Sequence, residues 1–141
     1  EYDFVYTSNG VHVWMSDLNA MYKNFHRVLR NKGRYIMYEV HPFMRPFSGS
    51  AKKLQIVKPY EDIGPFSEPS EHHWRMQDII NAVTSSGFHL ESIREFHAEY
   101  DTFWYESTGK RVGDIEYMYD WRRNKLAALP QWLALCAQKR T

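Results

Sequence analysis

Residues 3 to 40 constrain the fold more than any other part of the chain, because they carry strand, helix and strand signals in one continuous run. DFVYTS at 3–8 has the aromatic and β-branched side chains of a strand. SNG at 8–10 is turn chemistry. Ser16 stands where a helix N-cap is expected, with Asp17 in the first turn, where the helix dipole favours a carboxylate. Leu18, Met21, Tyr22, Phe25, Val28 and Leu29 then recur at spacings of three and four, which makes one apolar stripe. Arg27, Arg30 and Lys32 suit the negative end of that helix, and Gly33 is the expected stop. RYIMYEV at 34–40 reads as a second strand, apolar on both faces and therefore expected to be covered on both. A strand, a helix and a strand in this order imply two parallel strands joined by a right-handed crossover.

The remaining sequence extends the same alternation. Residues 41 to 70 hold five of the six prolines and no sustained periodicity, so they read as a long loop, of the kind that often serves as a lid. Helix signals resume from Glu71 to Ser86, with a stripe of Met76, Ile79, Ile80 and Val83, and Gly87 follows. Phe88 to Phe96 is a third strand candidate. Residues 97–129 form a second irregular segment, within which HAEYDTFWYE could extend that strand or form another, and DIEYMYDWRRNKLAAL could hold a short helix. WLALCAQ, after Pro130, reads as a last, buried strand. The expectation is one α/β domain over 1–141, with 41–70 and 97–129 as lid or insertion segments. Open sheets of this kind place ligands beyond the carboxyl ends of their strands. Here those ends carry SNGVH and EVHP, both polar and both bearing a histidine.

Charge and cysteine content narrow the function classes. With 18 basic and 17 acidic residues the chain lacks the basic excess of a nucleic-acid binder, so no nucleic-acid partner is expected. No apolar run approaches the roughly 20 residues that span a bilayer, and no membrane partner is expected. A single cysteine, Cys136, cannot form an internal disulfide, which suits a reducing compartment such as the cytoplasm. Its place within WLALCAQ makes it a core residue rather than a nucleophile. The histidines His12, His41, His72 and His73 lack the spacing of a zinc site, and no metal is expected.

Tyr2-Asp3, His12, Asp17, Arg27-Val28-Leu29, Gly33 and Glu39 to Pro42 together resemble the second half of a class I methyltransferase that uses S-adenosylmethionine. RMQDIINAVTSSGF at 75–88 is similar to that family's late helix, and LPQWLALCAQK to its final strand. The resemblance implies the C-terminal half of a Rossmann-like, doubly wound sheet, mostly parallel with an antiparallel final strand. The family's Gly-rich cofactor turn has no counterpart here: the glycines lie at 10, 33, 49, 64, 87, 109 and 113, no two within three residues. The turn and the acidic residue that follows it would fall upstream of Glu1. The chain is therefore expected to be an incomplete fragment, unable to hold the cofactor well or to catalyse alone. A homodimer is expected to cover the edge of the first strand, which would otherwise leave unpaired N–H and C=O groups. The activity implied is methyl transfer to a small-molecule acceptor; the alternative is a binding or oligomerisation module that reuses the half-fold.

The same resemblance suggests site residues. Ser8 and Asn9, at the first strand's tip, would touch the methionine part of the cofactor, or else form a simple turn. His12 would approach cofactor or acceptor, or bond to backbone beneath the lid. His41 is a candidate base or substrate contact, or the start of a structural loop. His72, His73 and Arg75 would face the acceptor pocket or cap the late helix. Trp104, with Tyr100, Phe103, Tyr105, Tyr117, Tyr119 and Trp121, would line an apolar acceptor pocket or serve as ordinary packing.

Overall fold

The computed structural model describes residues 1–49, 53–66, 70–99 and 118–141. The strand–helix–strand unit is present. Strand β1 (Tyr2–Ser8) leads through a short 3-10 turn at His12–Trp14 to helix α1 (Leu18–Val28), and strand β2 (Leu29–Val40) returns parallel to β1. A second 3-10 turn (Pro42–Met44) and a two-stranded antiparallel pair, β3 (Phe47–Gly49) with β4 (Leu54–Ile56), occupy the proline-rich segment. Helix α2 (Met76–Ser85), strand β5 (Phe88–Phe96), a third 3-10 turn (Lys125–Ala128) and strand β6 (Trp132–Lys139) follow. The main sheet has the order β1-β2-β6-β5.

That order corrects the expectation of a mostly parallel sheet. β1 and β2 pair parallel, but β6 pairs antiparallel with both β2 and β5. The antiparallel last strand was expected. Its position makes the difference, because it inserts between two strands instead of ending the sheet and so contributes two antiparallel ladders.

Both helices lie on one face of the sheet. α1 buries Leu18, Met21 and Tyr22, and α2 buries Ile79, Ala82 and Val83, each set at helical spacings of three and one. These side chains pack with Tyr35 and Met37 of β2, Leu133, Leu135 and Ala137 of β6, and Phe88. Tyr22 and Tyr35 meet edge to face with centroids 5.2 Å apart. Each large side chain buried in this way contributes about 1.5–3 kcal/mol. A smaller cluster of Met44, Ala98, Met118 and Leu126 lies near the end of β2.

The opposite face departs from expectation. β2 is covered on the helix side, yet Ile36 is 38% exposed, and Tyr2, Phe4 and Tyr6 of β1 are more than half exposed. The Met44 cluster reaches Val40 at the end of β2, while Ile36 and the β1 aromatics remain open on that face.

The element ends also move. The N-cap of α1 is Asp17 and not Ser16: its carboxylate accepts the Ala20 N–H at 2.9 Å. α1 ends at Val28, and the stripe's last member, Leu29, already has strand geometry. Gly33 therefore does not stop the helix. The register slips there, with Tyr2 opposite Leu29 but Phe4 opposite Arg34, and Lys32 takes a positive φ of 63°. A side chain at 33 would sit 2.9 Å from the Arg30 carbonyl and 3.1 Å from that of Asp3, so the bulge requires glycine. α2 begins at Met76, five residues later than Glu71, because Asp78 accepts the Arg75 N–H at 2.9 Å and fixes the first turn there.

The cap assignment yields a direct prediction. Replacing Asp17 with alanine is expected to cost about 1 kcal/mol in a urea denaturation, whereas Ser16→Ala should stay within about 0.5 kcal/mol.

Candidate functional site

The parallel pairing of β1 and β2 brings their carboxyl ends side by side. Ser8 sits opposite Tyr38, and the Asn9 N–H reaches the Tyr38 carbonyl at 3.4 Å. The chain then turns sharply. Asn9 and Gly10 both have positive φ, 54° and 96°, and the second favours glycine. This turn aims the Gly10 N–H at Glu39 Oε2, 2.7 Å away.

Glu39 sits on the helix-covered face of β2, in step with Tyr35 and Met37, and is 4% exposed. A buried carboxylate requires partners. Besides Gly10 it meets His12 Nδ1 at 3.3 Å, and His12 is itself buried by the short turn that follows β1. The other ring nitrogen, Nε2, lies 2.5 Å from the Tyr22 hydroxyl on α1. Tyr22 lies 3.4 Å from the Tyr35 hydroxyl, which lies 2.6 Å from Thr7 Oγ1 on β1. Because the carboxylate only accepts, His12 donates to it through Nδ1. With the ring neutral, Tyr22 donates to Nε2, Tyr35 to Tyr22 and Thr7 to Tyr35. Burial pushes both tyrosines above the usual phenol range, which keeps them as donors. The chain of bonds crosses β1, α1 and β2 and ends on Glu39.

His41 is fully buried just beyond β2. Its Nδ1 accepts the Phe43 N–H at 3.1 Å, so the proton is on Nε2, which donates to Glu95 Oε2 at 2.5 Å. Its main-chain N–H donates to the Gln131 carbonyl at 2.8 Å. His41 thus ties the end of β2 to the end of β5 and the approach to β6.

His72 and His73 do not cap α2, because Arg75 and Asp78 occupy that position. The main chain at His72 bonds to the Val13 carbonyl at 2.8 Å, and its ring stacks on Trp74 at 5.0 Å with the planes 5° apart. The Trp74 indole N–H is held by the Met15 carbonyl at 2.9 Å. His73 Nε2 meets Glu71 at 3.0 Å, and burial outweighs that carboxylate to leave the imidazole below its usual value. Arg75 directs its guanidinium at Asp78, with contacts of 2.9 and 3.0 Å. Burial raises Asp78, but its bonds from Arg75 outweigh it and hold the carboxyl below the usual range. Trp104 lies outside the described residues, as do Tyr100, Phe103, Tyr105 and Tyr117.

Two hollows adjoin this tip. One is a narrow cleft of about 20 Å³, lined by His12, Glu39, Arg45, His72 and Trp74 with Val13, Val40, Pro42 and Ile79 as its apolar wall. The other is an open groove of about 380 Å³ between the starts of α1 and α2, lined by Asp17, Asn19, Trp74, Asp78, Asn81 and Ser85 among others. Among the described residues no three His, Cys, Asp or Glu side chains come together as a metal site.

The structure therefore brings Ser8, Asn9, His12 and His72 to one strand-end region. It places His41 nearby in a hydrogen bond to Glu95, and Arg75 in an ion pair with Asp78. Glu39, Tyr22, Tyr35 and Arg45 were not among the sequence candidates. Glu39 had a signal, since the period-two pattern Tyr35, Met37, Glu39 places an acid on the core face. Tyr22 and Tyr35 carried none, because both fit an apolar stripe.

No family model matches the chain, and no curated protein matches it in sequence. Solved structures do match in fold. An S-adenosylmethionine dependent methyltransferase from Mesorhizobium loti aligns over 98% of this chain and 62% of its own, with a TM-score of 0.64 and 17% identity. A Listeria monocytogenes protein ascribed the same activity aligns over 99% and 62%, with a TM-score of 0.62 and 17% identity. The [4+2]-cyclase SpnF aligns over 99% and 50%, with a TM-score of 0.53 and 12% identity. The chain thus has the fold of S-adenosylmethionine-dependent methyltransferases and spans about six-tenths of the length of the first two.

Two measurements check this geometry. Glu39→Ala leaves His12 and the Gly10 N–H without their buried acceptor and is expected to cost about 3–5 kcal/mol in chemical denaturation, against about 1 kcal/mol for Tyr35→Phe. The lowered His73 value means that the unfolded chain binds the proton more readily than the folded one. Stability from this group is complete above the unfolded value of about 6.5 and is lost as pH falls through the folded value. A His73→Gln variant should therefore show a shallower loss of stability than the parent as pH falls below about 6.5.

Proposed function

We propose that this chain forms the acceptor-side half of a small-molecule methyltransferase that uses S-adenosylmethionine. The observation that supports this most is the sheet order β1-β2-β6-β5, with β6 inserted antiparallel, in a chain that aligns almost end to end with such enzymes. Fold alone hosts many chemistries, so the site has to carry the rest of the reading.

The strand tip suits one flank of the cofactor. Ser8 is half-buried, Asn9 is exposed, and a side chain added at Gly10 would meet nothing within 4 Å. The space above the tip is therefore open, with two polar side chains beside it. When bound, S-adenosylmethionine supplies a methyl group activated by its sulfonium. The protein's share in such a transfer is chiefly alignment. His12 and His41 fit that division. Both ring nitrogens of each are engaged, so they act here as positioning residues that fix the tips of β1 and β2. An acceptor that is already nucleophilic needs no protein base.

A second reading draws on the SpnF likeness, since that neighbour is a [4+2]-cyclase and the fold therefore does not by itself entail methyl transfer. On it, the chain is a binding or oligomerisation module that uses the sheet without methyl transfer. The methyltransferase reading also includes a second copy of the chain at β1, whose outward aromatics Tyr2, Phe4 and Tyr6 are more than half exposed.

Titration of the 15N-labelled chain with S-adenosylhomocysteine tests the proposal. Amide shifts are expected at Ser8, Asn9 and Gly10, with weak, millimolar-range affinity of about −4 kcal/mol. Asn9→Ala should weaken it further. Shifts located elsewhere, or none at saturating ligand, would favour the module.

A further inference from the structure

The narrow cleft beside Glu39 differs from the rest of the strand tip in its polar balance. Three buried side-chain atoms among the described residues lack a hydrogen-bond partner: His72 Nδ1, His73 Nδ1 and Asn124 Oδ1. Of these three residues, His72 alone lines the cleft, and it is 9% exposed. Arg45 lines the same cleft, at the end of the 3-10 turn that follows β2. Its guanidinium makes no hydrogen bond or ion pair among the described residues, although Glu39 and Glu71 act on it from further away. Burial disfavours its charge and lowers its pKa from the usual guanidinium value. A half-buried cation and an unused imidazole nitrogen lining one cleft are less favourable in the absence of an anion than in its presence.

We propose that this cleft binds the carboxylate of a small organic acid, with Arg45 as its charge partner and His72 Nδ1 as a hydrogen-bond donor. The proposal rests on the methyl-transfer reading only in naming the acceptor's class; the binding itself does not depend on it. The cleft, at about 20 Å³, has room for about one carboxylate oxygen, with the rest of the acid outside it. The body of the acid then lies at the mouth, against Trp74, whose ring is fixed by its bond to Met15 and its stack on His72. A flat, apolar body suits that surface and the wall of Val13, Val40, Pro42 and Ile79. A carboxylate fits better than a phosphate, because Glu39 forms part of the lining and Glu71 also acts on Arg45. A dianion meets more repulsion there than a monoanion. Glu39 itself does not compete for Arg45, since its two oxygens are engaged by Gly10 and His12.

The test is a ligand-observed NMR titration of the full chain with benzoate, benzamide and phenyl phosphate. Benzoate is expected to bind saturably, and benzamide, which has the same shape without the charge, about tenfold or more weakly. Arg45→Met should weaken benzoate about tenfold or more, and His72→Phe several-fold, with unchanged circular dichroism. Lys23→Met, a loss of an exposed charge on α1 outside the cleft, should leave benzoate affinity unchanged. If Arg45→Met fails to fold, His72→Phe and the benzamide comparison decide the matter. The proposal is overturned if benzoate does not saturate, if benzamide binds equally well, or if neither cleft variant changes the affinity. Tighter binding of phenyl phosphate than benzoate overturns the assignment to a carboxylate. A separate S-adenosylhomocysteine titration keeps the two readings apart. Benzoate binding without a response at Ser8 to Gly10 retains the acid site and removes the methyltransferase; the converse retains the methyltransferase and removes the acid site.

Discussion

A single buried carboxylate organises the end of the sheet. Glu39 is 4% exposed, and an ion in that position is tolerated only when its oxygens are occupied. One oxygen takes the Gly10 N–H, which requires the left-handed turn at Asn9–Gly10 to fold back over β2. The other takes His12, which requires the short helical turn after β1 to lie against α1, where Tyr22 waits. Two parallel strands and a helix are thereby locked at one end by polar bonds, while their bodies are held by apolar packing. The division is useful. Apolar contacts are nondirectional and tolerate small shifts, whereas a network with one acceptor-only terminus fixes the orientation of every donor along it.

The same constraint explains why the histidines read differently in sequence and in structure. A histidine at a strand tip invites a catalytic interpretation. Here His12 and His41 each have both nitrogens committed, one to a carboxylate and one to a neighbouring group. They hold strand ends in place: His12 joins β1 to β2 through Glu39, and His41 joins β2 to β5 through Glu95. A site whose tips are fixed in this way is suited to reactions governed by alignment, in which a misplacement of about 1 Å costs about a hundredfold in rate.

Much of the fold was legible because the apolar stripes are unambiguous. Met21, Tyr22 and Leu18 announce one helix, Ile79 and Val83 another, and Leu133, Leu135 and Ala137 alternate as a strand covered on one side should. What failed depended on contacts remote in sequence. Gly33 resembles a helix stop, but its role is set by the Asp3 and Arg30 carbonyls that close over it. Ser16 and Asp17 are both good caps, and only the backbone at the helix start decides between them. The count of parallel ladders failed because one strand's place in the order, and not its direction, determines how many neighbours it opposes. At the site, Glu39 was detectable from its register, whereas Arg45 lay in a proline-rich loop with no period to place it.

The uneven satisfaction of polar groups is the most informative feature of the tip. Within a few residues, Glu39, His12, Tyr22, Tyr35 and Thr7 form a closed set with every shared bond made. Arg45 and His72 line the neighbouring cleft, where, among the described residues, His72 Nδ1 has no hydrogen-bond partner. A chain that satisfies its polar groups so fully on one side of a wall has the means to do so on the other. The separation of a complete network from an incomplete one marks the boundary between what the fold uses to hold itself together and what it presents to a ligand.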